Sequence, residues 1–213
     1  MIYDISPPIT EDLKVWPGDV PPSREIISDA ARGGTRTNSI LHATVHLGSH
    51  IDAPSHFSPE GVSIDEVDLD TYIGPCQVIR VPMACREQLT PNMLKTPVVT
   101  ERILFATGTY PDPNEFHDDF AAISPKLVDW LHAKGVKLIG IDTPSIDLFA
   151  SSDLPAHKAV LGYKMGILEG LLLEQVPEGM YELIALPLKL VGFDASPVRA
   201  ILRTQEPRPP RRS

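Results

Sequence analysis

Cysteine is scarce in this chain of 213 residues. Cys76 and Cys85 are the only two, and they share no C-x-x-C spacing. That removes dithiol redox chemistry and reads as two reduced thiols in a cytosolic protein. Long hydrophobic runs are missing as well. No apolar stretch approaches the roughly 20 residues a membrane helix needs, and the N-terminus lacks a secretory pattern. Excess positive charge is missing too: the formal net charge is −9, and four arginines sit in the last eleven residues with a single Glu206. The remainder is therefore more acidic still, which argues against nucleic acid or an anionic membrane as partners. There is no G-x-S-x-G nucleophile elbow, no H-E-x-x-H, no P-loop and no G-x-G-x-x-G. Serine-hydrolase, nucleotide-driven and nicotinamide chemistry thus lose their usual signatures. No internal repeat is visible.

What is abundant is proline. Its 22 residues are about twice the ordinary ~5% share, which implies many short elements and rigid loops rather than a helical bundle. The length suits a single domain with a proper core, expected over residues 1–205. Residues 206–213, rich in Arg and Pro, read as a disordered tail. Strands are expected at Ile2–Ser6, Ser23–Ser28, Ser39–Leu47, Cys76–Val81, Arg102–Thr107, Val136–Ile141 and Tyr181–Leu186. The clearest helix is Pro125–Lys134. Ser124 caps it, Pro125 opens it, Leu127, Val128 and Leu131 recur at helical spacing, and Gly135 stops it. Thr90-Pro91 carries the same start signal. The pattern is mixed α/β.

The chemistry concentrates in His46-Leu-Gly-Ser-His50-Ile-Asp52-Ala-Pro-Ser-His56-Phe, which holds three of the seven histidines. Gly48 and Pro54 disfavour a helix, and Ile40 to Val45 alternates. On an extended chain His46, His50 and Asp52 point to one side, and Gly48 leaves room for an ion or a close backbone. Two imidazoles and a carboxylate so placed suit zinc. The bland alternative is a surface strand with incidental histidines. A complete site needs partners from elsewhere, and the best remote candidates are His157 and Glu169. Glu169 stands alone among apolar residues from Ile167 to Leu173, where a charge needs a cation or hydrogen bonds; otherwise it is an exposed residue on an amphipathic helix. His56 is either a fourth ligand or a free acid/base. His42 shares the parity of His46, in a second-layer or structural role. His117 and His132 lie in polar surroundings. Trp16, on the Trp16-Pro-Gly-Asp19 turn, either caps the core or walls a pocket for an aromatic substrate. A metal site without redox thiolates favours Lewis-acid hydrolysis; a metal-buffering protein with no open coordination position is the non-catalytic alternative.

The stretch from His46 to Phe57 resembles the H-x-G-T-H-x-D-x-P-x-H-F signature of the cyclase family of metal-dependent amide hydrolases, with Ser49 at the usual threonine. The likeness is greatest to the bacterial kynurenine formamidase (arylformamidase) branch. It extends through Ile2–Ser6, Trp16–Asp19, Gly140–Ser145, Leu154–His157, Tyr181–Leu188 and Gly192–Arg199. The resemblance implies a swivelling β/β/α fold with a mixed or barrel-like sheet, in a homodimer. It implies a paired zinc site on His46, His50, Asp52, His157 and Glu169, with Asp52 and Glu169 shared between the metals and manganese a possible substitute. It makes His56 the acid/base and Trp16 the contact to the substrate ring. Lys158 stands where related sequences often have another histidine. The implied activity is hydrolysis of N-formyl-L-kynurenine, a step of tryptophan breakdown; a cyclic aromatic amide such as isatin is the nearest alternative substrate.

Overall fold

Three strands in the middle of the chain have every residue buried, and the architecture is organised around them. The computed structural model describes residues 1–204, so the expectation for the 206–213 tail falls outside the described residues. In chain order the strands are β1 (Ile2–Asp4), β2 (Ser23–Ser28), β3 (Asn38–His42), β4 (His50–Asp52), β5 (Ile73–Arg80), β6 (Gln88–Leu89) and β7 (Arg102–Ala106). They continue as β8 (Ala122–Ile123), β9 (Leu138–Ile141), β10 (Gly166–Glu169), β11 (Gly179–Ile184), β12 (Ala195–Pro197) and β13 (Ile201–Thr204). Two helices, α1 (Pro125–His132) and α2 (Pro155–Gly162), complete the set.

Nine strands form one mixed sheet in the order β1-β13-β11-β5-β7-β9-β10-β4-β12. The middle ladder β5-β7-β9-β10 is parallel, and both flanks are antiparallel. Strands β7, β9 and β10 are buried at every residue, as is β4 beside them, because this part of the sheet is covered on both faces. Alternation along them feeds two cores. Val78, Leu104, Leu138 and Leu168 enter one. Ile79, Ile103, Phe105, Ile139 and Ile167 enter the other, against Leu127, Val128 and Leu131 of α1 and Ala156 and Val160 of α2. The expected α/β class with a mixed sheet is what the chain adopts. Among the described residues no helix is long and apolar enough to cross a membrane.

The helix α1 starts as the sequence dictates: the Ser124 hydroxyl accepts from the Leu127 N–H at 3.2 Å, with Pro125 in the first turn. The helix α2 begins differently. Its N-cap residue, Leu154, is left-handed (φ 46°) and offers no side-chain cap. The carboxylate of Asp147 instead reaches across to accept from the Ala156 and His157 N–H groups at 3.0–3.1 Å. A helix N-terminus leaves such donors unsatisfied and favours negative charge.

One strand expectation fails where the site begins. The run Ser39–Leu47 is a strand only to His42; the chain then bends through His46, and extended structure resumes at His50. Further on, Gly48 is left-handed at φ 58°, where a Cβ would lie 3.0 Å from Pro7 Cγ. An extended run cannot pass through a left-handed residue, so His46 arrives from a loop and only His50 and Asp52 share strand parity. Strands β2 and β3 form a separate hairpin. Ile26, Ile27, Ile40 and Leu41 on it are all exposed.

Candidate metal centre

In open sheets with parallel strands, ligand sites collect beyond the carboxyl ends of those strands. Here Glu169 is the last residue of β10, and the antiparallel partner β4 sets His50 directly opposite Glu169 and Asp52 opposite Ile167. Ile51 and Leu168 turn to the core on the other face. The junction is held tightly by the backbone. A Cβ on Gly170 (φ 67°) would sit 2.2 Å from the Gly48 carbonyl oxygen, so two glycines let the incoming loop meet the exit of β10. The Ser49 hydroxyl donates to the Gly170 carbonyl at 2.8 Å, a bond that needs only the hydroxyl serine shares with threonine.

Five side chains converge at this point. His50 Nδ1 donates to the Gly48 carbonyl at 2.9 Å, which turns Nε2 towards Glu169 Oε2 at 3.3 Å and Asp52 Oδ1 at 3.6 Å. His157, on α2, donates from Nδ1 to Asp147 Oδ2 at 2.7 Å. Its Nε2 faces Glu169 Oε1 at 3.2 Å and Asp52 Oδ2 at 3.6 Å. Glu169 Oε1 also accepts the Ile146 N–H at 2.7 Å. His46 places Nδ1 3.0 Å from Asp52 Oδ1 and Nε2 3.0 Å from Asp194 Oδ2. All but His46 are buried, and His46 nearly so.

Burial alone pulls an imidazole pKa down. In His46 that pull is outweighed by the adjoining Asp52 and Asp194 carboxylates, and the pKa stands at about 9. In His157, burial is outweighed by Asp147 and Glu169, giving about 10. His50 is raised for the same reason, by Glu169 and Asp52 against burial. Burial pushes Glu169 up, but His157 and His50 more than reverse it, to about 2.

The residues fit a divalent cation. Asp52 Oδ1 is fully buried without a hydrogen-bond partner among the described residues, although His46 Nδ1 lies 3.0 Å away, off the hydrogen-bonding axis. A buried carboxylate oxygen left without a donor is one that a cation would satisfy. Each ring's other nitrogen is held by a carbonyl or a carboxylate, the arrangement that orients metal-ligating histidines. Ligand atoms of His50, Asp52 and Glu169 lie within 4.8 Å of one another, as do those of His46, Asp52 and His56. Asp52 belongs to both groups, and the donor set is nitrogen and oxygen without thiolate.

The centre opens into a cavity of about 640 Å³ walled by Trp16, Phe57, Tyr110, Phe116 and Phe149. Trp16 packs on Phe149 (centroids 4.9 Å apart) and against the edge of Phe116 at 5.9 Å. His56 ends the short turn Pro54–His56 and stands at the rim, its side chain 35% exposed. Its Nδ1 is 3.1 Å from Asp194 Oδ2, and its ring is 4.2 Å from that of His46.

The Cyclase family model matches residues 3–148. The chain belongs to the Cyclase family. Over its whole length it is similar to a solved potential metal-dependent hydrolase with cyclase activity, at 31% identity and a TM-score of 0.84, covering 97% of this chain and 99% of the other. It is also similar to a predicted metal-dependent hydrolase from Bacillus stearothermophilus, at 32% identity and 0.81, covering 95% and 97%. Isatin hydrolase A from Labrenzia aggregata, in complex with benzyl benzoate, shares the fold at 24% identity and 0.80, covering 96% and 94%.

In this Cyclase-family protein the structure brings together His46, His50, Asp52, His157 and Glu169, with His56 beside them and Trp16 in the cavity wall. His42 is elsewhere, exposed on β3 and paired with Glu25 at 2.9 Å. His117 packs on Tyr110 and His132 stacks on Tyr163. Lys158 is exposed and does not line the cavity. Sequence reasoning assigned nothing to three aspartates, Asp142, Asp147 and Asp194. Asp142 accepts from the Thr107 N–H and hydroxyl and from the Gly108 N–H. Burial nevertheless keeps its pKa above the ordinary carboxylate value. Each stands in a loop with no local pattern; the one available signal was a charge inside the matched segments Gly140–Ser145 and Gly192–Arg199, or just beyond the first.

Proposed function

We propose that this protein is a zinc-dependent amide hydrolase that cleaves N-formyl-L-kynurenine to L-kynurenine and formate. The observation that carries the reading is one juxtaposition: a buried cluster of three imidazoles and two carboxylates opens beside His56 into an aromatic-walled cavity. The names of the two relatives above 30% identity, both metal-dependent hydrolases, agree with it.

His46, His50, Asp52, His157 and Glu169 would hold the metal. When bound, zinc supplies Lewis acidity towards a carbonyl oxygen and acidifies water at neutral pH. Trp16, with Phe116 and Phe149 behind it, packs on the substrate ring and orients the formyl group inward. His56 works from the rim. Its Nε2 takes a proton from the attacking water as the new C–O bond forms. It then returns the proton to the aniline nitrogen as the C–N bond breaks, so a neutral amine and formic acid leave, and the acid loses its proton to solvent as formate. The exposed apolar side chains of the β2/β3 hairpin, Ile26, Ile27, Ile40 and Leu41, support pairing with a second copy. An isolated two-stranded hairpin is marginal in water.

The test is hydrolysis of N-formyl-L-kynurenine by chelator-stripped protein before and after zinc is restored, with manganese as a parallel arm. Zinc-restored turnover is the expected result. Zinc-loaded protein that opens isatin and leaves formylkynurenine intact would move the substrate to cyclic amides. Uptake of zinc with turnover of neither would discard the enzyme reading. Light scattering on the eluting protein checks the homodimer.

A further inference from the structure

One oxygen of Asp194 faces both the clustered His46 and the rim residue His56. That oxygen, Oδ2, lies 3.0 Å from His46 Nε2 and 3.1 Å from His56 Nδ1. It is fixed there by backbone. The Asp194 carbonyl accepts the Ala53 N–H at 2.8 Å, and β12, which starts at the next residue, pairs with β4 so that Ala195 faces Asp52 and Pro197 faces His50. The strand that supplies two of the clustered residues thus also sets the position of Asp194.

A carboxylate oxygen only accepts, so both nitrogens that face it must carry a proton. In His56 that places the proton on Nδ1 and leaves the Nε2 lone pair free. In His46 it places a proton on Nε2 and leaves Nδ1, which faces Asp52 at 3.0 Å, as the nitrogen that can give up its proton to a metal. We propose that Asp194 is a positioning residue that sets the tautomers of two adjacent imidazoles at once, so that His56 presents Nε2 as the proton acceptor and His46 presents Nδ1 to the metal. The inference rests on the reading of His56 as the acid/base. It adds the reason why two imidazoles 4.2 Å apart take different tasks: the same oxygen blocks opposite nitrogens on the two rings. Without it, His56 would be free to carry its proton on Nε2 and turn, and a ring with Nε2–H cannot take a proton from water at that atom.

The test compares wild type with Asp194→Ala and Asp194→Asn in the full chain. Asp194 is half exposed and outside both apolar cores, so both variants should fold. Long-range proton–nitrogen correlation spectra are recorded on metal-free and zinc-loaded protein, at a pH raised until the His56 signals no longer change. Wild-type His56 should show a protonated Nδ1 and a bare Nε2. Asp194→Ala should shift His56 to a mixture of tautomers, and Asp194→Asn, whose amide oxygen still accepts one proton, should fall between. At saturating zinc, kcat should drop about 10²-fold in Asp194→Ala, the scale of lost acid–base assistance, with KM within a few-fold. Zinc affinity should weaken about 10-fold or more, as when a ligand's outer partner is removed. A His56 tautomer unchanged in Asp194→Ala overturns the inference, and so does an unchanged kcat. If wild type itself shows no zinc-dependent turnover, the proposed function fails, and the spectra still decide whether Asp194 sets the tautomers.

Discussion

Loading the metal-free protein with zinc should expel protons, and the number can be worked from the site. In the metal-free cluster His46 has a pKa of about 9 and His157 of about 10. At about pH 7.5 each is therefore almost wholly protonated, whereas a free histidine at ~6.5 is mostly neutral. A metal takes the lone pair that the proton occupies. Binding should then release about two protons from these two rings together, and more if His50, raised in the same direction, joins them. At about pH 9.5 His46 is already mostly neutral and His157 largely protonated, so the release should fall to about one. Isothermal titration calorimetry gives the count directly, from the slope of observed enthalpy against buffer ionisation enthalpy. Water acidified by the metal would shed more protons as pH rises, so the direction of the change separates the two sources. A slope near zero at pH 7.5, or one that grows towards pH 9.5, refutes the assignment of these imidazoles as protonated ligands-in-waiting.

Four further outcomes follow from the same geometry. His56→Ala should lower kcat by about 10²–10⁴-fold and leave zinc content unchanged by elemental analysis; loss of metal would make His56 a ligand. Trp16→Ala removes a stacking surface worth about 0.5–1.5 kcal/mol, so KM should rise about 2- to 10-fold with kcat little changed. An unmoved KM would return Trp16 to the core. Asp147→Ala strips the partner from His157 Nδ1 and from two N–H groups of α2. It should cost about 3–5 kcal/mol in urea unfolding, since it breaks a buried charged pair; a loss below 1 kcal/mol would deny Asp147 its anchoring role. In metal-free protein, the raised pKa values of His46 and His157 add stability that is complete below about pH 6.5 and lost as pH rises through about 9 and 10. Glu169, depressed to about 2, adds stability above about pH 4.5 and loses it on the way down, so thermal scans of stripped protein should show Tm falling between pH 6.5 and 10.

The strands that were legible in the sequence are those whose burial writes a simple pattern. Arg102–Ala106 and Leu138–Ile141 are apolar because both faces are covered, and Pro125–His132 carries its cap, its stripe and its stop within about ten residues. The helix α2 was not legible. Its start is held by Asp147, eight residues before Pro155, and no local cap marks it. The same kind of distance hid the end of the third strand. The residues from Ile40 to Val45 alternate correctly, but pairing with β2 ends at His42, opposite Ser23, and the left-handed Gly48 against Pro7 separates His46 from the strand that carries His50.

The site divides along the same line. A ligand set packed into His46–Asp52 is conspicuous because its members are dense and of one chemical kind. Glu169 is conspicuous because a charge among apolar residues has few explanations. Asp147 and Asp194 stand singly in loops with no other ligand-type residue beside them in sequence, so they pass unnoticed, yet they hold the imidazoles that the sequence does display. The parity argument reached the right grouping of His46 with His50 and Asp52 for only part of the right reason. His50 and Asp52 do share a strand face, but His46 joins them because a turn folds it back and Asp194, near the other end of the chain, receives its outer nitrogen. Proximity in sequence pointed to His46, His50 and Asp52, which the fold does bring together. His50 is turned by the Gly48 carbonyl two residues back, but the nitrogens that His46 and His157 turn inward depend on partners 148 and 10 residues away, and that is information only the folded sheet supplies.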